Sequence, residues 1–155
     1  MQRAKKNPSL SIVTILLAGA LIFYLDWLTK AYVVTHMHLY ESIVVVPHFF
    51  WITYILNSGA AFSLLPRQTY LLVGIALAVV FGILWVAPRV MRWDMRIALG
   101  LMLGGALGNV WDRIAYGQVI DFLHLTHWPV FNVADSAIVV GAALFFWGVY
   151  RSDKK

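Results

Sequence analysis

Four aspartates and two asparagines of this chain recur at spacings that could support acid–base chemistry. Asn109, Asp112 and Arg113 stand at i, i+3 and i+4, which puts them on one face of a helix. Asn132 and Asp135 repeat the i, i+3 arrangement, and Asp121 lies between the two groups. Two carboxylates brought together can share one proton, so that one takes a proton from water while the other donates to a carbonyl oxygen; proximity separates their affinities and the dyad titrates as a unit. Plainer readings also exist. Asp112 could pair with Arg113 or cap a helix end, Asp135 could answer the positive end of a helix dipole, and Asp121 could be a loop acid at the water interface. Asp26 and Lys30, at i and i+4, read most simply as a salt bridge.

Other chemistries have less support. Cysteine is absent, which removes disulfides, thiol nucleophiles and cysteine-based metal centres. His36 and His38, and His124 and His127, are spaced as metal pairs can be, but no H-E-x-x-H signature accompanies them, and no metal or other cofactor is expected. Ser58 or Ser63 with Lys30 could in principle form a nucleophile–base pair, although no spacing argues for it.

The elements that must position these groups are set by composition. Of 155 residues, 61% are hydrophobic and 12% charged, and the mean hydropathy is +0.77. Soluble domains carry about 25% charged residues, so a multi-pass membrane protein is expected. Uncharged runs cover Asn7–Leu25, Gln68–Ala87, Ile97–Trp111 and Ser136–Tyr150. A span takes roughly 20 helical residues. The last two runs, at 15 residues each, are short, so helices there must carry charged residues to membrane depth. The expected spans are 9–29, 68–87, 96–114 and 133–150 in one domain covering 1–155, with outer segments 30–67 and 115–132. The first span follows Arg3, Lys5 and Lys6 but no A-x-A-like site follows Leu25, and it reads as a retained helix.

Nine of the twelve basic residues fall on the N-terminal tail, at Arg89, Arg92 and Arg96, and at Arg151, Lys154 and Lys155. The positive-inside rule then places both termini in the cytoplasm. It also accounts for the net charge of +5 without nucleic acid. Asp26, Glu41, Asp112, Asp121 and Asp135 fall on the outer side. Residues 41–57 are rich in β-branched and aromatic side chains around Pro47, and predict two or more short strands in a small outer sheet. Gly100, Gly104 and Gly108 form a small-residue ridge that points Asp112 into protein, and Gly74, Ala78 and Gly82 predict similar close packing for the second span.

Four blocks, taken together, resemble the bacterial lipoprotein signal peptidase family, also called signal peptidase II. They are Asp26-Trp27-Leu28-Thr29-Lys30; Asn57-Ser58-Gly59-Ala60-Ala61-Phe62-Ser63; Gly108-Asn109-Val110-Trp111-Asp112-Arg113 leading to Val119-Ile120-Asp121-Phe122; and Phe131-Asn132-Val133-Ala134-Asp135. The resemblance implies an all-α membrane protein of four transmembrane helices with a small extracytoplasmic β-sheet. It implies an aspartic endopeptidase that cuts lipid-modified prolipoproteins just before the diacylglyceryl cysteine, with Asp121 and Asp135 as the catalytic pair. Asn57, Gly59, Asn109, Asp112, Arg113 and Asn132 would line or support the site, and Asp26 and Lys30 would be accessory. It further implies a monomer in the bacterial inner membrane, working among membrane lipids with its site at the outer face. The 13 residues between Asp121 and Asp135 make a short interval for that family, whose corresponding segment covers the site. Without the resemblance, the same carboxylates would also suit a proton- or ion-coupled transporter subunit, or a structural scaffold that tolerates their loss.

Overall fold

The computed structural model describes residues 8–59 and 68–153. Ala60–Ser63 of the second block, Arg67, and the basic residues of both tails (Arg3, Lys5, Lys6, Lys154 and Lys155) lie outside the described residues. Four helices carry the chain: α1 (Pro8–His36), α2 (Thr69–Val86), α3 (Trp93–Tyr116) and α4 (Val133–Asp153). Three strands, β1 (Ser42–Val46), β2 (Phe50–Asn57) and β3 (Val119–Leu125), form one antiparallel sheet in the order β1-β2-β3. By length and composition, α1, α4 and α2 with the turn after it could each cross a membrane. The protein is a helical membrane protein.

Helix ends follow local chemistry. Pro88 converts the end of α2 into a 3₁₀ turn, Ala87–Arg89, because proline cannot donate to the helical ladder. Two carbonyls near that break, of Ala87 and Val90, accept from Ser11 Oγ of α1 at 2.6 and 2.7 Å. Gly117 ends α3 in the left-handed region at φ 76°, where a residue without Cβ meets no steric penalty. The short uncharged runs are resolved by helices that continue through charge: α3 has 24 residues and α4 has 21, about 36 and 31 Å at 1.5 Å per residue. Likewise α1 continues to His36, beyond the expected end at 29, because Lys30 is neutralised inside the protein and is no exit signal.

The helices bury small residues and expose large ones. α3 is the central helix, with Ala98, Leu99, Leu103, Ala106 and Val110 buried. A Cβ on Gly100 would come within 2.5 Å of Ala18 Cβ, and one on Gly104 would strike the Gly19 carbonyl of α1. On the other side of the ridge, Gly105 meets the Ala134 carbonyl of α4 in the same way. Leu17, Phe81, Trp85 and Phe146 face outward at 66–72% exposure, as helices in lipid require: apolar side chains gain nothing by hiding, whereas close backbones gain dispersion. The expectation for α2 fails. Gly74 and Gly82 would meet nothing within 4 Å among the described residues, because α2 packs through Leu72, Val80 and Ile83 and its small stripe faces outward.

The sheet has one more strand than residues 41–57 could supply. β3 comes from the segment expected as an outer connection, and pairs Asp121 with Ile55 and Val119 with Asn57 of β2. Side chains alternate along a strand, so Asn57 and Asp121 share a face.

Gly104→Ala is expected to destabilise the protein by about 1–3 kcal/mol through overpacking, whereas Gly82→Ala leaves it unchanged or slightly more stable. Thermal unfolding of the two variants in the same detergent checks this contrast; equal midpoints would contradict the assigned packing.

Candidate active site

Four elements meet at the end of the bundle where the sheet lies. Helix α3 brings Asn109, Asp112 and Arg113, β2 brings Asn57, β3 brings Asp121, and the start of α4 brings Asn132 and Asp135. Asp121 and Asn132 are fully buried at 1% and 0% exposure. Asp135 is half-buried and opens on a cavity of about 430 Å³, which Asn57, Asn109, Arg113 and Asp121 also line. The rest of its wall is largely apolar: Leu125, Trp128, Val130, Phe131 and the α4 residues Ile138, Val139 and Val140.

The four oxygens of the two aspartates are each held by an N–H donor. Asp121 Oδ1 accepts from Asn132 Nδ2 at 2.7 Å, and its Oδ2 accepts from Asn57 Nδ2 at 2.9 Å. Asp135 Oδ1 accepts from Asn109 Nδ2 at 2.8 Å, and its Oδ2 from the Asn132 backbone N–H at 3.3 Å. Asn132 returns the last bond, its Oδ1 accepting from the Asp135 N–H at 2.8 Å. That reciprocal pair caps α4 and joins the two aspartates through one residue. All the donors are neutral amides. The nearby cation Arg113 spends its guanidinium on the carbonyls of Gly59, at 2.8 Å, and Asn109, at 3.4 Å. Gly59 N–H in turn donates to Asn57 Oδ1 at 2.9 Å, which leaves the Asn57 amide nitrogen for Asp121.

Burial, and then the charge of Asp135, push the Asp121 carboxyl up to about 7. The hydrogen bonds from Asn57 and Asn132 and the Lys30 ammonium oppose that rise without cancelling it. A carboxyl near neutrality can hold a proton beside an ionised partner, as shared-proton chemistry requires. The unfolded value lies near 3.9. The protonated state therefore contributes stability fully below that value, and the contribution is lost as pH rises through about 7.

The remaining candidates sort clearly. Asp112 pairs with Lys30 at 2.9 Å rather than with Arg113, since α1 places an ammonium on the face of α3 that Asp112 occupies. Asp26 and Lys30 form the expected i, i+4 pair at 2.6 Å, fully buried. Asp121 is no surface loop acid, because β3 carries it into the interior against Asn57 and Asn132. The Lys30 ammonium is engaged by Asp26, Asp112 and Asn109, and so does not act as a free base for Ser58; Ser63 lies outside the described residues. His124 leans on Trp51 and Thr53, and His36 stacks on Tyr32. Among the described residues no group of three or more possible metal ligands assembles. Sequence reading did not single out the apolar wall of the cavity or the backbone amides of Ile120 and Ala134.

The family model described as signal peptidase (SPase) II matches residues 18–151. A lipoprotein signal peptidase of Desulfitobacterium hafniense is 43% identical over 138 residues, covering 87% of this chain and 91% of that protein. Another, of Geobacter sulfurreducens, is 42% identical and covers 96% and 98% of the two chains. A bacterial membrane enzyme solved by the in meso method superposes with a TM-score of 0.86 at 30% identity, covering 92% of each chain.

In difference infrared spectra, the Asp121 carboxyl is expected to lose its protonated carbonyl band as pH rises through about 7. The band is assigned by its absence in Asp121→Asn. In Asp135→Asn, which removes the neighbouring charge, its midpoint moves down. A wild-type midpoint near the ordinary value of about 3.9 would contradict the electrostatic account.

Proposed function

The chain belongs to the signal peptidase II family and is a peptidase, and from that premise we propose that it removes signal peptides from lipid-modified prolipoproteins by aspartic catalysis at Asp121 and Asp135. The observation that carries this reading is the pair of carboxylates on one cavity, every oxygen held by an N–H donor and, among the described residues, no cation in contact with either. In the proposed reaction the ionised aspartate takes a proton from a water lying between the pair, and the resulting hydroxide attacks the scissile carbonyl carbon. The protonated aspartate donates to the carbonyl oxygen. Collapse of the tetrahedral intermediate breaks the C–N bond, with the amine taking the proton that the first aspartate gained and a hydroxyl of the intermediate returning its proton to the second, so the dyad again holds one proton.

The bond cut is the one just before the diacylglyceryl cysteine. An apolar wall on α4 supports this assignment. Acyl chains lying against Ile138, Val139 and Val140 stay within the bilayer, and each methylene kept out of water is worth about 0.8 kcal/mol. Removing two chains from the membrane for every turnover would be prohibitive. The charge distribution supports a chain with both termini in the cytoplasm of the inner membrane and the dyad at the outer face. The dyad, the three asparagines and Arg113 all come from one chain, which suits a protein working as a monomer among membrane lipids. The chemistry needs no cofactor.

Purified protein is expected to cleave a diacylglyceryl-modified precursor and to leave its unlipidated form largely intact. Asp121→Asn and Asp135→Asn should each lower kcat by at least 10²–10⁴-fold, the usual worth of a positioned acid or base, while the folded protein remains in the membrane. Equal cleavage of both precursors would remove lipid recognition from this reading. Activity surviving in either variant would remove the dyad, and inhibition by a chelator would redirect attention to the histidines.

A further inference from the structure

Two backbone amides occupy positions that the reaction itself leaves unexplained. Ile120 immediately precedes Asp121, and Ala134 immediately precedes Asp135. Each donates its N–H to a buried carboxylate: Ile120 to Asp112 Oδ2 at 3.1 Å, and Ala134 to Asp26 Oδ1 at 2.8 Å. Both carboxylates close on one ammonium, Lys30 Nζ lying 2.6 Å from Asp26 Oδ2 and 2.9 Å from Asp112 Oδ2. The same ammonium donates to Asn109 Oδ1 at 3.3 Å. That contact keeps the Asn109 amide nitrogen turned toward Asp135. Asp26, Lys30 and Asp112 are 1–3% exposed and none of them lines the catalytic cavity.

We propose that Asp26, Lys30 and Asp112 are positioning residues: Lys30 draws two carboxylates together, each holds the backbone just ahead of one reacting aspartate, and the spacing of Asp121 and Asp135 follows. The inference rests on reading those two aspartates as the dyad. Like-charged carboxylates would otherwise separate, because a buried pair without its cation is unfavourable. Separation would carry β3 away from the start of α4. The ammonium thus acts on the reaction through two peptide groups and one amide, without touching substrate.

The geometry makes an asymmetric prediction. Both contacts of Asp112, the backbone hydrogen bond and the ion pair, fall on one oxygen, so an asparagine presenting its Oδ1 there keeps the bond and still offers the ammonium a neutral acceptor. The bonds of Asp26 fall on different oxygens, and an asparagine can accept only one of them. Asp112→Asn should therefore keep kcat within about tenfold of wild type, whereas Asp112→Ala, Asp26→Asn and Asp26→Ala each lose on the order of 10²-fold, the usual effect of a misplacement of about 1 Å. KM for the lipidated precursor should change little in all four.

Amide hydrogen exchange supplies a readout independent of cleavage. The Ala134 N–H belongs to the first turn of α4, where no intrahelical acceptor exists, so its protection depends on Asp26. It should exchange faster in Asp26→Asn, with Ile120 still protected. In Asp112→Ala the Ile120 amide should exchange faster, and in Asp112→Asn both should stay protected. Lys30→Met should release both amides; if that variant fails to fold, the four aspartate variants decide the question alone. The proposal is overturned if Asp112→Asn is as impaired as Asp112→Ala, if Asp26→Asn behaves as wild type, or if kcat falls with both amides fully protected. Should the wild-type protein cleave no precursor, the dyad reading fails, and the exchange pattern still reports separately on the ties to Ile120 and Ala134.

Discussion

A lysine buried between two aspartates is the constraint on which this structure depends. Such a group is costly to assemble, because each ion loses several kcal/mol of hydration that attraction must repay. Here the cost is offset by geometry: the ammonium donates to Asp26 and Asn109 and pairs with Asp112, and each carboxylate also accepts a backbone N–H. Breaking one partner of a buried pair typically costs about 3–5 kcal/mol, since the other charge is stranded. Four elements are committed at once, as α1 supplies Asp26 and Lys30, α3 supplies Asp112, and the bound amides belong to β3 and α4. The group therefore fixes where the sheet meets the bundle, which is where Asp121 and Asp135 stand.

The surroundings of those two aspartates are the electrical opposite. Neutral amides hold every oxygen, and the cations are kept one residue away, Lys30 behind Asn109 and Arg113 on the Gly59 carbonyl. A guanidinium in contact with either carboxylate would favour the doubly ionised pair and discharge the proton that the proposed reaction needs. Asparagine suits this place because it can donate to a carboxylate while its carbonyl oxygen is anchored elsewhere. Asn57 is anchored by Gly59 N–H, Asn109 by Lys30, and Asn132 by Asp135 N–H. In each case the anchored oxygen decides which way the amide faces, so no oxygen is turned toward a carboxylate.

How much of this was legible in the sequence depended on whether the determining interaction was local. The helices, the β1–β2 hairpin and the clustering of polar groups at one end follow from hydropathy, strand-forming residues and i, i+3 spacing, all of which are short-range. Asp26 and Lys30 were readable as a pair for the same reason. Asp112 with Lys30 was not, because 82 residues separate them and only the crossing of α1 and α3 brings them together. β3 escaped notice since Val119–Leu125 has no strand partner nearby in sequence; its partner is β2, before α2. Gly74, Ala78 and Gly82 show the converse error. Their spacing is as good as that of Gly100 and Gly104, and which stripe meets a neighbour is settled by the whole bundle. For the site itself, the resemblance of four ordered blocks named the residues together, where spacing alone left a peptidase, a relay and a scaffold open.

Helix α3 explains why packing and chemistry are joined in so small a protein. Its face toward α1 and α4 begins with Gly100, Gly104, Gly105 and Gly108, whose missing side chains let the neighbouring backbones come close. The same face continues into Asn109 and Asp112. Close approach is what allows the short side chain of Asp26 to reach past α3 to the Ala134 amide of α4, with its carboxylate lying against Gly108. A larger residue at position 108 would displace that carboxylate before it displaced a helix. In lipid, where apolar surface supplies little drive for association, small residues bring the helices together and the buried ions determine their register. The proposed reaction then occupies the one end of the bundle where that register is set.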